Sequence, residues 1–436
     1  MHNEMTDFPK RFYQRLLLDY DHKLNVEGIN GKRLAERLAK LAGIGLTPNN
    51  GSSRMGFSEE ERKAKKLVKE WMKEAGLEVR EDGAGNVFGR LEGKENDSPV
   101  VMSGSHLDTV PNGGHFDGTL GVLLALEVVA AWKEKGYQPT KPYEVVIFTD
   151  EEGSRFNGGL SGSGAMVGEV IREEQLKLID VFGNSFEQVL EEAGLTVDGY
   201  LSAKRNLKEI AAFVEVHIEQ GKQLEKENLP VGVVTGIAGP CWIEVSFLGI
   251  AGHAGNTPMN DRSDALTAAS QFILQVETLP SKVSPSAVAT VGKVHVHPNG
   301  VNVIPGKVTL CVDIRDIHKE TRDLLVDKIT ESAKQVASDR GISVEITENF
   351  RITPVPISIQ MQGKVMKAVE NHVRSSHLSP SGAGHDAMIV GRHLPIAMVF
   401  VRSKGGISHN PMEWTSLNDC VIAARVLKDL VEDLTM

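Results

Sequence analysis

Residue types that hold divalent cations recur in this chain where apolar runs end. Ser105-His106-Leu107-Asp108-Thr109 comes just after the apolar stretch Val100–Met102, and Gly113-Gly114-His115-Phe116-Asp117-Gly118 comes next. His106 and Asp117 carry imidazole and carboxylate groups of the kind that ligate metals, and the glycines let the backbone turn sharply and approach closely. Asp108 lies two residues past His106, so on an extended backbone both face the same way. Its carboxylate would accept the His106 ring proton and fix the tautomer. Taken singly, His106 reads as part of a polar surface loop.

Thr149-Asp150-Glu151-Glu152-Gly153-Ser154-Arg155-Phe156 places three acids after the apolar run Val145–Thr149. Adjacent carboxylates repel unless a cation sits among them. One glutamate can then bind metal while its neighbour takes a proton from an attacking water. Val214-Glu215-Val216-His217-Ile218-Glu219-Gln220-Gly221 alternates at strand period and brings His217 to the strand end. Gly405-Gly406-Ile407-Ser408-His409-Asn410-Pro411 is a glycine-rich turn around a histidine. Ser381-Gly382-Ala383-Gly384-His385-Asp386 is another, in which His385 and Asp386 read as a hydrogen-bonded structural pair. Alone, each of these segments has an ordinary structural explanation. It is their combination that points to a metal site.

The elements that must position these loops alternate. Ser58 with Glu61 reads as a capping box for a helix carrying Ala64, Leu67, Val68, Trp71, Met72 and Ala75, stopped by Gly76. Strands are expected at Val100–Met102, Val145–Thr149 and Val214–Ile218, with a buried helix over Gly121–Trp132. This alternation predicts an α/β sheet with loops at its strand ends. After about Gly221 the pattern changes. Strands are expected at Val231–Val234, Cys241–Leu248, Ala287–Val296, Val308–Asp313 and Ser343–Ile346. Between them fall a helix from Asp264 to about Thr278, capped by Ser263, and another over about Lys319–Ser338 with Leu324, Leu325, Ile329, Val336 and Ala337 on one face. Two helices on an antiparallel sheet form an α+β module. A helix near Lys364–Val373, a strand at Ile396–Val401 and a helix from Leu417 resume the α/β pattern. The expectation is a catalytic domain over 1–221 and 346–436, interrupted by a smaller domain over 222–345.

Composition narrows the function classes. The 436 residues suit two to three domains at roughly 100–200 residues each. With 48 basic and 58 acidic side chains the net charge is −10, and without a basic block the chain is a poor partner for nucleic acid or an anionic membrane. Cys241, Cys311 and Cys420 form no CxxC pair, which argues against a disulfide framework and a thiolate zinc site. The start, Met1 to Arg11, lacks an apolar leader pattern, and no run of ~18 apolar residues occurs, so a cytoplasmic protein is expected. Leu160-Ser161-Gly162-Ser163-Gly164 has neither a P-loop lysine nor a nucleophile-elbow serine.

The phrases GSHLDTVPNGGHFDG, TDEEGSRF, VEVHIEQG, AGHAGNTPM, NVIP, SGAGHDA and GGISHNP together resemble the dinuclear-metal peptidase and amidase superfamily of aminoacylases, dipeptidases and carboxypeptidases. More narrowly, the chain is similar to N-carbamoyl-L-amino-acid hydrolases, β-ureidopropionases and allantoate amidohydrolases. HIEQG after DEEGSRF favours this ureido-acid subgroup over general peptidases. The resemblance implies an α/β catalytic domain interrupted by a ferredoxin-like dimerisation or lid domain. It implies metal ligands at His106, Asp117, Glu152, His217 and His409. Asp117 would bridge two ions, His106 and His217 completing one and Glu152 and His409 the other. Glu151 would be the general base. Two ions of Zn, Mn, Co or Ni per subunit suit a nitrogen and oxygen donor set without thiolate. His253, in Gly249-Ile250-Ala251-Gly252-His253-Ala254-Gly255, resembles a residue that reaches an active site across a homodimer to bind an oxyanion. Asn302 and Arg315 resemble residues that hold a substrate carboxylate, and Gln220 is a further polar candidate; an ion pair of Arg315 with Asp313 or Asp316 is the structural alternative. The implied reaction is hydrolysis of the ureido C–N bond of an N-carbamoyl-L-amino acid to amino acid, ammonia and CO2. Allantoate, a β-ureido acid and an acyl amino acid are rival substrates, and a metal-binding protein without catalysis is the rival of another class.

Overall fold

The computed structural model describes residues 7–436, so the first part of the Met1–Arg11 segment lies outside the described residues. The chain divides into two compact units. The first comprises residues up to Val234, Ile357–Ser379 and His385–Met436; the second comprises Thr235–Pro356 and Pro380–Gly384. In the first unit the strands are β1 (Glu78–Glu81), β2 (Val87–Leu91), β3 (Val100–His106), β4 (Tyr143–Phe148) and β5 (Ile210–Ile218), then β6 (Val231–Ile237), which leads into the second unit. There follow β7 (Gly239–Leu248), β8 (Gly252–His253), β9 (Val288–His297), β10 (Val303–Ile304), β11 (Lys307–Asp316), β12 (Ser343–Arg351) and β13 (Val355–Pro356). After these come β14 (Leu378–Ser381) and β15 (Ile396–Val401). The second unit begins and ends later than the expected range 222–345. Val231 and Val233 of β6 still pair with β15, and β12 continues to Arg351.

The sheet of the first unit runs in the order β1-β2-β4-β3-β5-β15-β6. Its centre, β4-β3-β5-β15, is parallel, while β1, β2 and β6 are antiparallel to their neighbours. β3 and β4 are buried along their whole length, as expected for parallel strands covered on both faces. This corrects the alternating reading of Val214–Ile218. Glu215 is as buried as its apolar neighbours, and its carboxylate accepts the Ser105 hydroxyl at 2.7 Å and the Ala387 N–H at 2.8 Å.

The helix Thr119–Lys135 is apolar on all sides and buried from Thr119 to Trp132, so it is a core helix. It seats so closely on β5 that a Cβ at Gly121 would lie 2.2 Å from the Val216 carbonyl oxygen. The helix Glu59–Ala75 starts as expected, with Ser58 Oγ accepting the Glu61 N–H at 3.1 Å, and stops at Gly76, φ 97°. The return half of the capping box is missing: the Glu61 carboxylate accepts the Phe57 N–H and pairs with Lys65 instead.

In the second unit β12-β7-β11-β9 form an antiparallel sheet covered on one face by the helices Ala265–Thr278 and Lys319–Asp339. Its core unites Val245, Phe247 and Leu310 of the sheet with Phe272, Leu325 and Ile329 of the helices. Asp264, not Ser263, caps the first helix, because its carboxylate accepts the N–H groups of Leu266 and Thr267. Leu324 is half exposed and lies off the buried stripe.

Candidate metal centre

Because the four central strands are parallel, their C-terminal ends share one edge of the sheet. Ligands in open α/β sheets bind at such an edge. His106 ends β3, Asp150-Glu151-Glu152 follow β4, His217 is the penultimate residue of β5, and the Lys404–Trp414 loop follows β15. Asp117 comes from the turn before the helix Thr119–Lys135. That turn passes over the imidazole of His106: Gly118 has φ 57°, and a Cβ there would lie 2.4 Å from the ring.

Asp117 is the centre of the cluster. Its Oδ1 lies 3.0 Å from His217 Nε2 and 3.6 Å from His106 Nε2. Its Oδ2 lies 3.5 Å from His409 Nε2, which is itself 3.4 Å from Glu152 Oε2. The ligand atoms of His106, Asp117 and His217 fall within 4.8 Å of one another, as do those of Asp117, Glu152 and His409. The structure therefore brings together all five residues expected as ligands, with Asp117 common to both sets. Glu151 Oε2 stands 3.7 Å from His106 Nε2.

These residues fit a cation. His106 Nδ1 faces the Asp108 carbonyl and His217 Nδ1 the Ile218 carbonyl, each at 3.0 Å. A carbonyl only accepts, so both Nδ1 atoms carry the proton and both Nε2 lone pairs turn inward. His106 Nε2 is buried with no hydrogen-bond partner. Burial, with the Asp117 charge beside it, pushes the Glu152 carboxyl up to about 7. Burial and the Glu152 charge push Glu151 well above the ordinary carboxylate range, against the pull of His106. The hydrogen bond to Asp117, set against burial, leaves His409 raised to about 9. Crowded carboxylates that resist ionisation are what a bound cation relieves.

Asp108 departs from its expected role. His106 Nδ1 bonds the Asp108 main-chain carbonyl, while the carboxylate stands 3.5 Å away. That carboxylate instead accepts the N–H of Glu151 at 3.2 Å and of Glu152 at 3.1 Å, and so holds the acidic loop. Burial would raise its pKa, yet the neighbouring His106 and these two N–H groups hold it below the ordinary value. Gln220 is also in the cluster, its amide donating to Asp117 Oδ2 at 2.8 Å and to Ser408 Oγ at 3.2 Å. The expected hydrogen bond to Asp386 is not made, since neither Asp386 carboxylate oxygen has a hydrogen-bond partner, and the His385 ring lies edge-on to His217 at 4.5 Å.

Three further residues shape the centre without having been legible as such. Arg54 is fully buried behind it; its guanidinium donates to the Leu107 carbonyl at 2.8 Å, next to His106, and to the Thr119 hydroxyl at 2.9 Å, two residues past Asp117. Lys65 Nζ donates to Thr149 Oγ1 at 2.7 Å, just before the acidic loop. Glu413 accepts the N–H groups of Phe116 and Asp117. Only the last left a trace in the sequence, an acid four residues after His409.

The remaining expected residues lie in the second unit. His253 and Asn302 are close neighbours there, since His253 pairs with Val303 and the Ala254 N–H bonds the Asn302 carbonyl at 3.0 Å. Arg315 holds Asp313 through Nε at 3.0 Å and Nη2 at 2.7 Å, the alternative weighed for it.

A family model described as Peptidase family M20/M25/M40 matches residues 102–433, a span that includes all five expected ligands. N-carbamoyl-L-amino acid amidohydrolase of Geobacillus stearothermophilus is 43% identical over 406 residues, 93% of this chain and 99% of that protein. Allantoate amidohydrolase of Bacillus subtilis is 38% identical over 394 residues, 90% of this chain and 95% of that protein. The crystal structure of an amidase of the hydantoinase/carbamoylase family from Burkholderia multivorans has a TM-score of 0.88 at 36% identity, covering 94% of this chain and 98% of that one. Sequence and fold agree, and the chain belongs to the M20/M25/M40 peptidase family, in the subgroup of N-carbamoyl-L-amino-acid and allantoate amidohydrolases.

Proposed function

We propose that this chain is a metal-dependent amidohydrolase that cleaves the ureido C–N bond of N-carbamoyl-L-amino acids, giving the amino acid, ammonia and CO2. The observation that carries the reading is Asp117, which turns one oxygen to His106 and His217 and the other to His409, beside a Glu151 left free for proton transfer. A protein that only stored metal would need no such base. The resemblance to N-carbamoyl-L-amino acid amidohydrolase along nearly the whole chain gives the substrate class.

His106 and His217 with Asp117 would hold one divalent ion, and Glu152 and His409 with Asp117 a second; Zn, Mn, Co and Ni all suit these donors. When bound, the ions supply Lewis acidity, polarising the ureido carbonyl and easing deprotonation of the attacking water. Glu151 takes that proton and returns it to the leaving nitrogen. The buried setting that raises the Glu151 carboxyl suits it to both steps. Asp108 keeps Glu151 and Glu152 in place through their N–H groups. Arg315 and Asn302 would recognise the substrate carboxylate, Arg315 exchanging Asp313 for it.

The second unit has the chain order β-α-β-β-α-β and the sheet order β12-β7-β11-β9, which supports reading it as a ferredoxin-like dimerisation and lid domain. We place the enzyme in the cytoplasm as a C₂ homodimer, the commonest closed arrangement. The partner subunit's His253 would then stabilise the oxyanion. Mixing inactive Glu151→Gln and His253→Ala subunits tests this, because exchange restores up to about a quarter of wild-type activity only if His253 serves the other subunit's site. Among the described residues no helix is long and apolar enough to cross a membrane.

A second reading, allantoate hydrolysis, is favoured by the Bacillus subtilis relative. One experiment separates the readings: chelated protein resupplied with metal is offered carbamoyl amino acids, a β-ureido acid, allantoate and N-acetyl amino acids. Ammonia is followed for the ureido substrates and free amine for the acetyl ones. The first reading predicts the highest kcat/KM for carbamoyl amino acids. A higher value for allantoate would establish the second.

A further inference from the structure

Glu413 is a buried carboxylate outside the proposed ligand set. Its Oε1 accepts the main-chain N–H of Phe116 at 2.8 Å and of Asp117 at 3.1 Å. Its Oε2 lies 3.0 Å from the Ser408 hydroxyl, and that hydroxyl also lies 2.7 Å from Asp117 Oδ2. A hydroxyl has one proton, so Glu413 and Asp117 compete for it. The loop carrying Glu413 and His409 is closed by the Lys404 N–H on the Trp414 carbonyl at 2.8 Å. Next to Glu413, the Trp414 ring packs edge-on against Phe116 at 5.6 Å. One carboxylate thus joins the backbone of Asp117 to the loop that presents His409.

The same contact explains a glycine. A Cβ on Gly114 would lie 2.0 Å from the Glu413 carboxyl carbon and from Oε1, a distance no side chain permits. Gly114 is therefore the opening through which Glu413 reaches the Phe116 and Asp117 N–H groups.

We infer that Glu413 is a positioning residue for the ion held by Asp117, Glu152 and His409: it fixes where Asp117 Oδ2 stands relative to His409 and governs how much of the Ser408 proton that oxygen receives. This rests on the two-ion reading above. The competing account makes Glu413 a loop staple, which would affect the stability of the apoprotein and leave metal affinity untouched. Glu413→Gln distinguishes the two. Its carbonyl can keep the two N–H groups, but its NH2 would donate to Ser408, which then gives its proton wholly to Asp117. With a negative charge also gone, cation affinity falls, by about 10–100-fold as is usual for residues behind a ligand.

The experiment is a Zn²⁺ titration of chelated protein against a chromogenic chelator, paired with melting of the apoprotein and steady-state kinetics. The set is wild type, Glu413→Gln, Gly114→Ala, Glu413→Ala and the double variant Gly114→Ala/Glu413→Ala. We expect Glu413→Gln to melt like wild type without metal, to lose about 10–100-fold in affinity for one of two ions, and to lose kcat more than KM. Gly114→Ala should weaken the same ion in wild type and add little once Glu413 is Ala, because the colliding carboxylate has gone. Unchanged Zn²⁺ affinity in Glu413→Gln would overturn the inference while leaving the two-ion reading intact. So would an equal Gly114→Ala penalty on both backgrounds. If Glu413→Ala does not fold, the Glu413→Gln titration decides alone. Wild type binding fewer than two ions would overturn the two-ion reading, and this inference with it.

Discussion

The Asp108 carboxylate accepts the main-chain N–H of Glu152 at 3.1 Å, joining the loop after β3 to the acidic loop after β4. The same carboxylate takes the Glu151 N–H, and the Asp108 carbonyl takes His106 Nδ1. One residue therefore sets a proposed ligand at the end of β3, and a proposed ligand and the proposed base on the acidic loop.

Replacing Asp108 by Asn leaves one acceptor where two N–H groups converge. The Asn NH2 would face a main-chain donor. Kinetics and elemental analysis of Asp108→Asn should show kcat lower by about 10–100-fold with weakened metal retention. Wild-type kcat would mean that the acidic loop holds its shape without this carboxylate.

Arg54 predicts a stability effect. Its guanidinium also donates to Ser52 Oγ at 2.6 Å, and burial pushes its pKa down to about 10. Arg54→Met fills the space but strands the Leu107 carbonyl and other buried acceptors. Urea unfolding of the apoprotein should register a loss of about 3 kcal/mol or more, since hydrogen bonds to charged groups contribute about 1.5–3 kcal/mol each. A loss below about 1 kcal/mol would show that water takes over these contacts.

Substrate charge is the third test. If Arg315 and Asn302 clamp a carboxylate, carbamoyl amino-acid amides should be far poorer substrates than the acids. Arg315→Lys should also be damaged, because an ammonium does not reproduce a bidentate fork. Equal kcat/KM for acid and amide would leave Arg315 with only a structural role, holding Asp313 and the Gly382 carbonyl.

Much of the site was legible because its residues stand at chain positions where periodicity fails. His106, Glu152 and His217 each close or follow an apolar run, and an apolar run that ends in a polar ligand type marks the rim of a parallel sheet. Glu215 was misread because alternation in sequence says nothing about a strand covered on both faces. Arg54 and Lys65 were invisible for another reason. Their contacts with Leu107, Thr119, Gly85 and Thr149 reach far along the chain, and all four involve backbone or hydroxyl groups that no charge pattern announces. Glu413 left only a faint trace, since its Oε1 faces main-chain N–H groups.

The proposed reaction rests on Glu151 moving protons at a centre held by the five neighbouring ligands. Glu151→Gln keeps the size of the side chain and removes its basicity. This variant, reconstituted with metal, should keep two ions per chain by elemental analysis while ammonia release from a carbamoyl amino acid falls by about 10²–10⁴ in kcat. His217→Ala and Glu152→Ala, measured alongside, should lose metal and activity together. Wild-type turnover by Glu151→Gln would contradict the account.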